Sequence, residues 1–597
     1  MAILPTSLWT SRLSHPRRAL GAAALALVTA ATGCNDIFGI HLGEATGGAG
    51  GAGAGGTGAG GTTSMGGGGA TTGGTGGEGA TTAMGGTGGT GAAGGTGGTG
   101  TTGGNGGTGG SVTPCLAVSP PSPDGAPYKQ RIPKSDNSDD ARGVAVDAQG
   151  NILVVGSFNG SGLDFGGGPL PYQGEPGYPD GNLYVAKYDS AGNHLYSRGF
   201  GGDEIAYAEA VATDAAGNVF VVGHLSGHID FDGTMLFAPN DPGQYRYDAI
   251  VVKLSPSLDV LWAKNYGNND YTQLGLDIAV DSQGNPVVTG GLFDQADFGA
   301  GTIGEITEWT SFVLKLSGDT GDTQFSLAFG NWGAVSHNYY DYHSLGVALA
   351  PDDDIVLAGT LAGPAYFFEE FANTDGQEDA YVARIAADGK SLRWLKTFHG
   401  APQGGDADGS QWMGPVAVDA CGDVIVGGAF TETLSIGGAV ETVKVGDPAD
   451  ADGFLAKLAG DTGDVLWHRV FGDAGWQEPS AVAVDPWGNI AVAGAVSDAV
   501  GYQGVDFGPG IGVLSPKVAP EPDYREDAFV VKYDSEGNGQ WGRRIGDAAQ
   551  QIGYDVLLLP SGDAVWAGIF GGTIALGSGL PPVSSNNYDA FTIWLKP

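Results

Sequence analysis

One stretch of this chain constrains what the rest can fold into, because it comes back. Val144-Ala-Val-Asp147-Ala-Gln-Gly150-Asn151 recurs at 211–218, 278–285, 416–423 and 482–489, with weaker copies at 347–354 and 556–563. Measured through Asp147, Asp214, Asp281, Ala350, Asp419, Asp485 and Leu559, the intervals are 67, 67, 69, 69, 66 and 74 residues. A period held that steadily describes an array of like units.

Each unit has the same internal order. The first strand, Gly143–Asp147, alternates and is β-branched. A turn follows in which Gly precedes Asn or Asp, and Gly supplies the positive φ of a tight hairpin. The second strand is Ile152–Phe158. After a long insertion comes a third, Leu183–Asp189, with copies at Ala249–Leu254, Phe312–Leu316, Ala380–Ile385, Gly453–Leu458, Ala528–Tyr533 and Ala590–Leu595. The turn Ser190–Asn193 leads to a fourth, Leu195–Phe200. Four short antiparallel strands repeated in this way predict an all-β chain, a β-propeller of seven four-stranded blades.

The fourth strand carries an internal check. An aromatic residue is followed four positions later by an apolar one in Tyr196/Phe200, Trp262/Tyr266, Phe325/Phe329, Trp394/Phe398, Trp467/Phe471 and Trp541/Ile545. The last unit stops at Pro597, just after its third strand. The missing copy stands at the other end, as Tyr128 and Ile132, with Tyr128 lying 68 residues before Tyr196. We therefore expect Tyr128–Ile132 to be the outer strand of the final blade. It would close the ring and remove the unpaired edge of an open array. The fourth-strand aromatics are expected to pack between blades.

Charge is periodic too. Lys187, Lys253, Lys315, Arg384, Lys457 and Lys532 share one position of the third strand, and an Asp recurs in the first strand. The Asp is lost at Ala350 and Leu559, and the base is lost at Trp594. These residues read as a repeated buried polar bridge that fixes blade geometry, because a catalytic group need not recur in every blade.

Ahead of the repeats, residues 1–33 read as an export signal: Arg12, Arg17 and Arg18, then the apolar run Ala19–Ala31, too short to span a bilayer. Arg17-Arg18 leaves twin-arginine export open beside the general route. The run ends Ala31-Thr32-Gly33-Cys34, which resembles the lipobox of bacterial lipoproteins, although that family more often has Leu where Ala31 stands. The resemblance implies lipidation of Cys34, removal of residues 1–33 and a lipidated segment 34–46. Residues 47–110 are Gly, Thr and Ala with almost no apolar bulk, so they are expected to be a disordered tether with an r.m.s. span of about 45 Å. Irregular Gly spacing and missing Pro exclude collagen. A Pro-containing lead-in, 111–127, brings the chain to the propeller, 128–597.

The formal charge is -40, from 66 acidic and 26 basic residues, which disfavours nucleic acid and anionic membranes as partners. Three Cys, at 34, 115 and 421, exclude a disulfide framework and a multi-Cys metal site. Asp164-Phe-Gly166, Asp297-Phe-Gly299 and Asp506-Phe-Gly508 look like a kinase element, but three copies at one repeat position make them structural corners. Gly389-Lys390-Ser391 imitates a phosphate loop, yet the earlier Gly that loop needs is Arg384. Calcium-loop spacing fails around Asp450-x-Asp452-Gly453 at Pro448 and Ala459, and around Asp406-x-Asp408-Gly409 at Gly404 and Pro415. A non-standard calcium site stays open, and no other cofactor is expected. His224 and His228 end a strand, where i and i+4 do not share a face. The first strands contain no His, and no Gly-x-Ser-x-Gly elbow occurs.

Val-Ala-Val-Asp-x-x-Gly-Asn, the Asp-Phe-Gly corner and Asp527-Ala-Phe-Val-Val-Lys532 together resemble the bacterial β-propeller repeat family often called SBBP, related to NHL-type propellers. The resemblance spans 128–597 and implies a fold, not an activity. The order of signal, tether and propeller also resembles secreted bacterial surface lipoproteins. Function is then expected on the face that carries the fourth-to-first and second-to-third connections. Its aromatic and acidic residues include Trp332, Tyr339, Tyr340, Tyr342, Asp406, Asp408, Trp412 and Trp476. Aromatic platforms beside acids suit glycans, cations or a basic protein patch. The leading expectation is a non-catalytic binding or scaffold module for protein or glycan. It would be a monomer at the cell surface, touching the membrane only through its anchor. A lyase-like or glycan-active enzyme and a purely structural display protein are the alternatives.

Overall fold

A computed structural model describes residues 124–597, apart from the stretches 134–136, 174–180, 203–204, 268–270, 306–308, 331–344, 373–377, 401–408, 444–449, 499–503 and 517–525 and a few gaps of one or two residues. Export signal, Cys34, tether and most of the lead-in therefore lie outside the described residues. Seven four-stranded antiparallel sheets follow one another along the chain, each running from a first strand inside to a fourth outside. The first strands are Gly143–Val146, Ala206–Thr213, Gln273–Val280, Leu345–Leu349, Gln411–Val418, Gly475–Val484 and Gln551–Leu558. Between second and third strands, blades two to six carry small extra hairpins, such as His228–Phe231 with Thr234–Phe237 in blade two. Blade seven instead lengthens both strands, to Ala564–Ile574 and Val583–Leu595. The sequence showed these segments only as insertions.

The recurrent motif is a turn with its own wiring. Asp147 Oδ1 accepts the N–H groups of Gln149 and Asn151 at 2.9 Å each, and Asn151 Nδ2 donates to Asp147 Oδ2 at 2.9 Å. Asp214, Asp281 and Asp485 repeat the set. Gly150 takes a φ of 79°, which only Gly adopts without cost. Blade four puts Asp353 there, at a φ of 64°. That carboxylate is also used, accepting the N–H of Ser282 in blade three at 2.9 Å.

Second and third strands are buried along most of their length in blades one to five, and wholly so in blade one at Ile152–Phe158 and Asn182–Tyr188. Their side chains form the core between blades: Val155 and Val185 of blade one meet Val221 and Ile250 of blade two. The periodic charges do form the expected bridge. Lys187 Nζ lies 2.9 Å from Asp147 Oδ2, Lys315 3.0 Å from Asp281 and Lys457 2.7 Å from Asp419. The same ammonium groups also reach the next blade, Lys187 donating to Pro256 O at 2.9 Å and Lys253 to Gly318 O at 2.9 Å. Blade four keeps the bridge by moving it. Ala350 has no carboxylate, but Asp354, at the Asn position, accepts from Arg384 Nε at 3.2 Å and Arg393 Nε at 2.9 Å. In blade seven an apolar pair replaces the bridge, and Trp594 stacks edge-on against Tyr188 of blade one at 5.7 Å.

The fourth-strand indoles tie neighbours together as well as packing. Trp262, Trp394 and Trp467 donate Nε1–H to Gly318 O, Gly460 O and Ser535 O of the following blade at 3.0, 2.8 and 3.1 Å. Tyr196 departs from the pattern and is 47 % exposed. The Asp-Phe-Gly segments are corners: Asp164, Asp297 and Asp506 accept the N–H two residues on at 2.7, 2.8 and 2.9 Å, over buried Phe165, Phe298 and Phe507.

The ring closes as expected. Pro127–Arg131 pairs antiparallel with Val583–Leu595, with Gln130 opposite Ile593 and Arg131 opposite Thr592. Arg131 Nε then donates to Gly192 O of blade one at 2.9 Å. The closing strand begins and ends one residue earlier than the Tyr128–Ile132 read from sequence. At this seam, blade seven has no continuous turn between third and fourth strands to receive the indole of blade six. Trp541 is buried with no hydrogen-bonding partner for Nε1, and Gly125 takes up the space instead. Gly125 has a φ of 63°, and a Cβ there would sit 2.3 Å from the Trp541 ring.

The channel mouth as candidate binding site

Five of the seven first strands, those of blades two, three, five, six and seven, bulge on the long-loop side. Register slips between Ala208 and Ala210, Gly275 and Asp277, Met413 and Val416, Pro479 and Ala481, and Gly553 and Asp555. A bulge leaves one residue outside the ladder and re-aims its side chain. The residues so placed, two before the recurrent Val, differ from blade to blade. They include Glu209, Leu276, Ser480 and Tyr554, with Arg142 at the matching place in blade one.

Three of them meet although they belong to three blades. Arg142 lies with its guanidinium carbon 4.5 Å from the Tyr554 ring centre, and its Nη1 is 3.6 Å from Glu209 Oε2. Its Nε donates to Asp140 Oδ2 at 3.0 Å. Beyond Glu209, at 3.9 Å, is Nδ1 of His224, whose ring sits between Tyr207 and Tyr247 at 5.2 and 5.0 Å. These groups are surrounded by protein, yet Arg142, Asp140 and Tyr554 keep part of their surface open. Burial raises the carboxyls of Asp140 and Glu209 against the opposing pull of Arg142. Burial, then Arg142, hold His224 down at about 3, so it is neutral in any ordinary buffer. Burial pushes the Tyr554 hydroxyl up to about 12.

Deeper in the ring, the residue following the bulge is Asp277 in blade three and Asp555 in blade seven. Each reaches across to the next blade's first strand, Asp277 accepting Val347 N–H at 2.8 Å and Asp555 accepting Val144 N–H at 2.7 Å.

On the other side of the mouth stand Trp412 of blade five and Trp476 of blade six. Their ring centres are 5.3 Å apart, inclined by 39°. Trp412 gives its indole N–H to the Glu378 carboxylate, and Trp476 gives its own to Glu478 Oε2 at 3.1 Å. Both indoles are half-buried. With their N–H groups held by carboxylates, what they present is ring surface flanked by acid.

Of the residues expected on this face, the structure thus brings Trp412 and Trp476 together. Trp332, Tyr339, Tyr340, Tyr342, Asp406 and Asp408 lie outside the described residues. His224 and His228 are held apart: His224 serves the channel mouth, whereas His228 packs near Phe237 at 6.0 Å. Among the described residues, no group of three or more His, Cys, Asp or Glu is placed to hold a metal ion. Sequence reading missed Arg142, Glu209 and Tyr554. The signal was there, in a position beside the motif where the copies disagree.

Fold and site together define a seven-bladed β-propeller with a charged and aromatic channel mouth. No protein-family profile matches the chain. It is 27% identical over 168 residues to an uncharacterized WD repeat-containing protein of Acanthamoeba polyphaga mimivirus, covering 26% of this chain and only 11% of that protein. Solved structures similar to it include the WD40 propeller domain of Doa1, at 13% identity, 78% and 96% coverage and a TM-score of 0.36. Another is the polysaccharide lyase Uly1, at 10% identity, 79% and 99% coverage and a TM-score of 0.38.

Proposed function

We propose that this chain is an exported surface protein, lipid-anchored through Cys34, whose monomeric propeller is a non-catalytic binding module for an extracellular glycan or protein. The observation that carries the binding reading is the Trp412–Trp476 pair, set beside Glu378 and Glu478 at the channel mouth. Sugar rings stack their C–H faces on indoles while their hydroxyls bond to carboxylates, so this chemistry favours a glycan. The export signal, lipobox-like Cys34 and tether resemble those of SBBP-type surface lipoproteins, and they support presentation outside the cell. The test is a glycan array and an envelope-protein pull-down with the full chain in detergent. Retention of a glycan that Trp412→Ala or Trp476→Ala weakens at least tenfold, with melting unchanged, is the expected result. Retention of proteins alone would move the ligand to the protein class, and no retention of either would overturn the reading.

A second reading, a propeller enzyme, draws on a different observation. Glu209 with a raised carboxyl, neutral His224 and the phenols of Tyr207 and Tyr554 gather around Arg142, which is acid–base equipment at a channel mouth. Turnover of a captured glycan that Glu209→Gln abolishes without loss of binding would select it.

A further inference from the structure

Blade three carries a second group of rings on the long-loop face. Tyr271 stands just ahead of the first strand Gln273–Val280, Phe293 ends the second strand, Pro286–Phe293, and Trp309 opens the third, Trp309–Leu316. Phe293 and Trp309 are cross-strand partners with ring centres 5.6 Å apart, and the Tyr271 ring lies 5.7 Å from that of Phe293. Phe293 N–H donates to Thr272 O at 2.9 Å, which fixes the strand end beside the segment that carries Tyr271. Tyr271 is 38% exposed, and Phe293 and Trp309 are half-buried. Where Phe293 stands, blades one, two, five, six and seven have Asn159, Ser226, Thr431, Ser497 and Gly571, so the ring belongs to this blade and not to the repeat.

We propose that Tyr271, Phe293 and Trp309 form a second glycan subsite, and that the ligand is a neutral linear polysaccharide lying along the channel mouth from blade three to blades five and six. The inference rests on the glycan reading above. The repeat itself puts the two ring groups on one circle. Trp309, Tyr247 and Glu378 each stand six residues before the periodic base of their blade, Lys315, Lys253 and Arg384. At that position Tyr247 O and Glu378 O accept the next blade's first strand, from Gln273 N–H at 2.6 Å and Gln411 N–H at 2.8 Å. Trp309 therefore shares the circle of Tyr247, which packs on His224, and of Glu378, which holds Trp412. It packs against Ile205, Tyr247, Leu274 and Leu276, a small cluster apart from the large cores between blades. Going round the mouth, the order is the blade-three rings, the Glu378 carboxylate of blade four, then Trp412 and Trp476.

Two ring platforms with a blade between them suit a chain of sugars and not a single one. A polymer stacked on one platform is held close to the other, so its second contact is intramolecular and adds affinity without a second association cost. The rings supply apolar surface for C–H faces, and the Glu378 carboxylate between them accepts hydrogen bonds from hydroxyls. Charge narrows the class further. Glu378 and Glu478 flank the path on a chain of formal charge -40, which opposes sulfated and uronate polymers.

The test titrates the full chain, in a detergent without a sugar headgroup, with cello-, xylo- and manno-oligosaccharides as disaccharides and as octasaccharides. The octasaccharide of a bound series should bind at least about tenfold more tightly than its disaccharide. Tyr271→Ala and Trp309→Ala should each remove most of that gain, leave the disaccharide affinity unchanged and melt like wild type, whereas Trp412→Ala should weaken both lengths. If Trp309→Ala fails to fold, Tyr271→Ala, at the more exposed ring, decides it. A disaccharide bound as tightly as the octasaccharide, or a length gain that survives both blade-three variants, overturns the second subsite and leaves the first standing. Polygalacturonate or heparin bound as tightly as the neutral chains overturns the neutral class. If no saccharide of either length binds, the glycan reading itself falls, and this inference with it.

Discussion

Asp555 Oδ2 accepts the backbone N–H of Val144 at 2.7 Å, so a carboxylate of the last blade grips the first strand of the first. Ring closure therefore has an inner clasp as well as the outer one made by Pro127–Arg131. Asp277 makes the same reach to Val347, from blade three to blade four.

These two carboxyls set a pH dependence. Burial pushes Asp555 up to about 7 and Asp277 to about 6, against the hydrogen bonds they accept. The folded chain thus holds protons that the unfolded chain releases near pH 4, and stability falls as pH rises through about 6 to 7. Asp147, Asp281 and Asp354 act oppositely. Burial raises them, but hydrogen bonds from Asn151 and Lys187, from Asn285 and Lys315, and from Arg393 and Ala387 outweigh it and hold them below the usual range. Their contribution is present above about pH 4 and is lost in acid. Melting temperature should peak near pH 5. Asp555→Asn, which cannot ionise, should flatten the decline between about pH 5 and 8, and an unchanged slope would contradict the assignment.

The displaced bridge of blade four makes a rescue experiment. Asp354→Asn takes one carboxylate from Arg384, which keeps its pair with Asp352 at 2.7 Å, and should cost about 1.5–3 kcal/mol of stability. Adding Ala350→Asp and Arg384→Lys rebuilds the arrangement of the other blades and should recover most of the loss. Denaturant midpoints of single and triple variants check it, and a triple variant no better than the single refutes the relocation.

Burial decides what an ion pair contributes. Lys457→Met leaves Asp419 buried without its cation and should cost about 3–5 kcal/mol. Lys390→Met breaks a pair with Asp388 at 3.5 Å whose side chains are 80% and 59% exposed, and should cost under about 0.5 kcal/mol. Parallel thermal melts would show equal losses if the periodic lysines were ordinary surface charges.

The seam should show in the indoles. Trp394→Phe loses a buried hydrogen bond to Gly460 O and should cost about 1 kcal/mol more than Trp541→Phe, whose N–H has no partner to lose. Gly125→Val should lower melting further than either, because the new side chain would meet the Trp541 ring. Equal costs at the two tryptophans would mean that blades six and seven join like any other pair.

Much of this was legible in the chain because its causes are local or periodic. Asp147, Gly150 and Asn151 wire their own turn, so the motif reads the same in every copy. Tyr128 could be placed because it stands one period ahead of Tyr196. The site was harder to read, for physical reasons. Arg142, Glu209 and Tyr554 are far apart in sequence and meet only where three blades converge, at a bulge whose residues follow no pattern. Tyr196 matched the aromatic period and still lies exposed, since period alone does not say what a neighbour covers. The hairpins inside the insertions were hidden because their strands are short and half exposed. Trp412 was identified from its loop-face position, but nothing in the sequence says that it meets Trp476.

The central claim divides the chain's labour, with architecture in the positions that repeat and recognition in those that differ. One paired measurement tests it most directly: melting temperature and affinity for the retained glycan or protein, on Asp485→Ala and Trp412→Ala of the full chain. Asp485→Ala should lose roughly 2–3 kcal/mol of stability, since it strips the turn of its acceptor, and should bind normally below its lowered melting point. Trp412→Ala should melt like wild type and bind at least tenfold more weakly. If Asp485→Ala loses binding while keeping its stability, or Trp412→Ala binds as wild type does, the division is wrong.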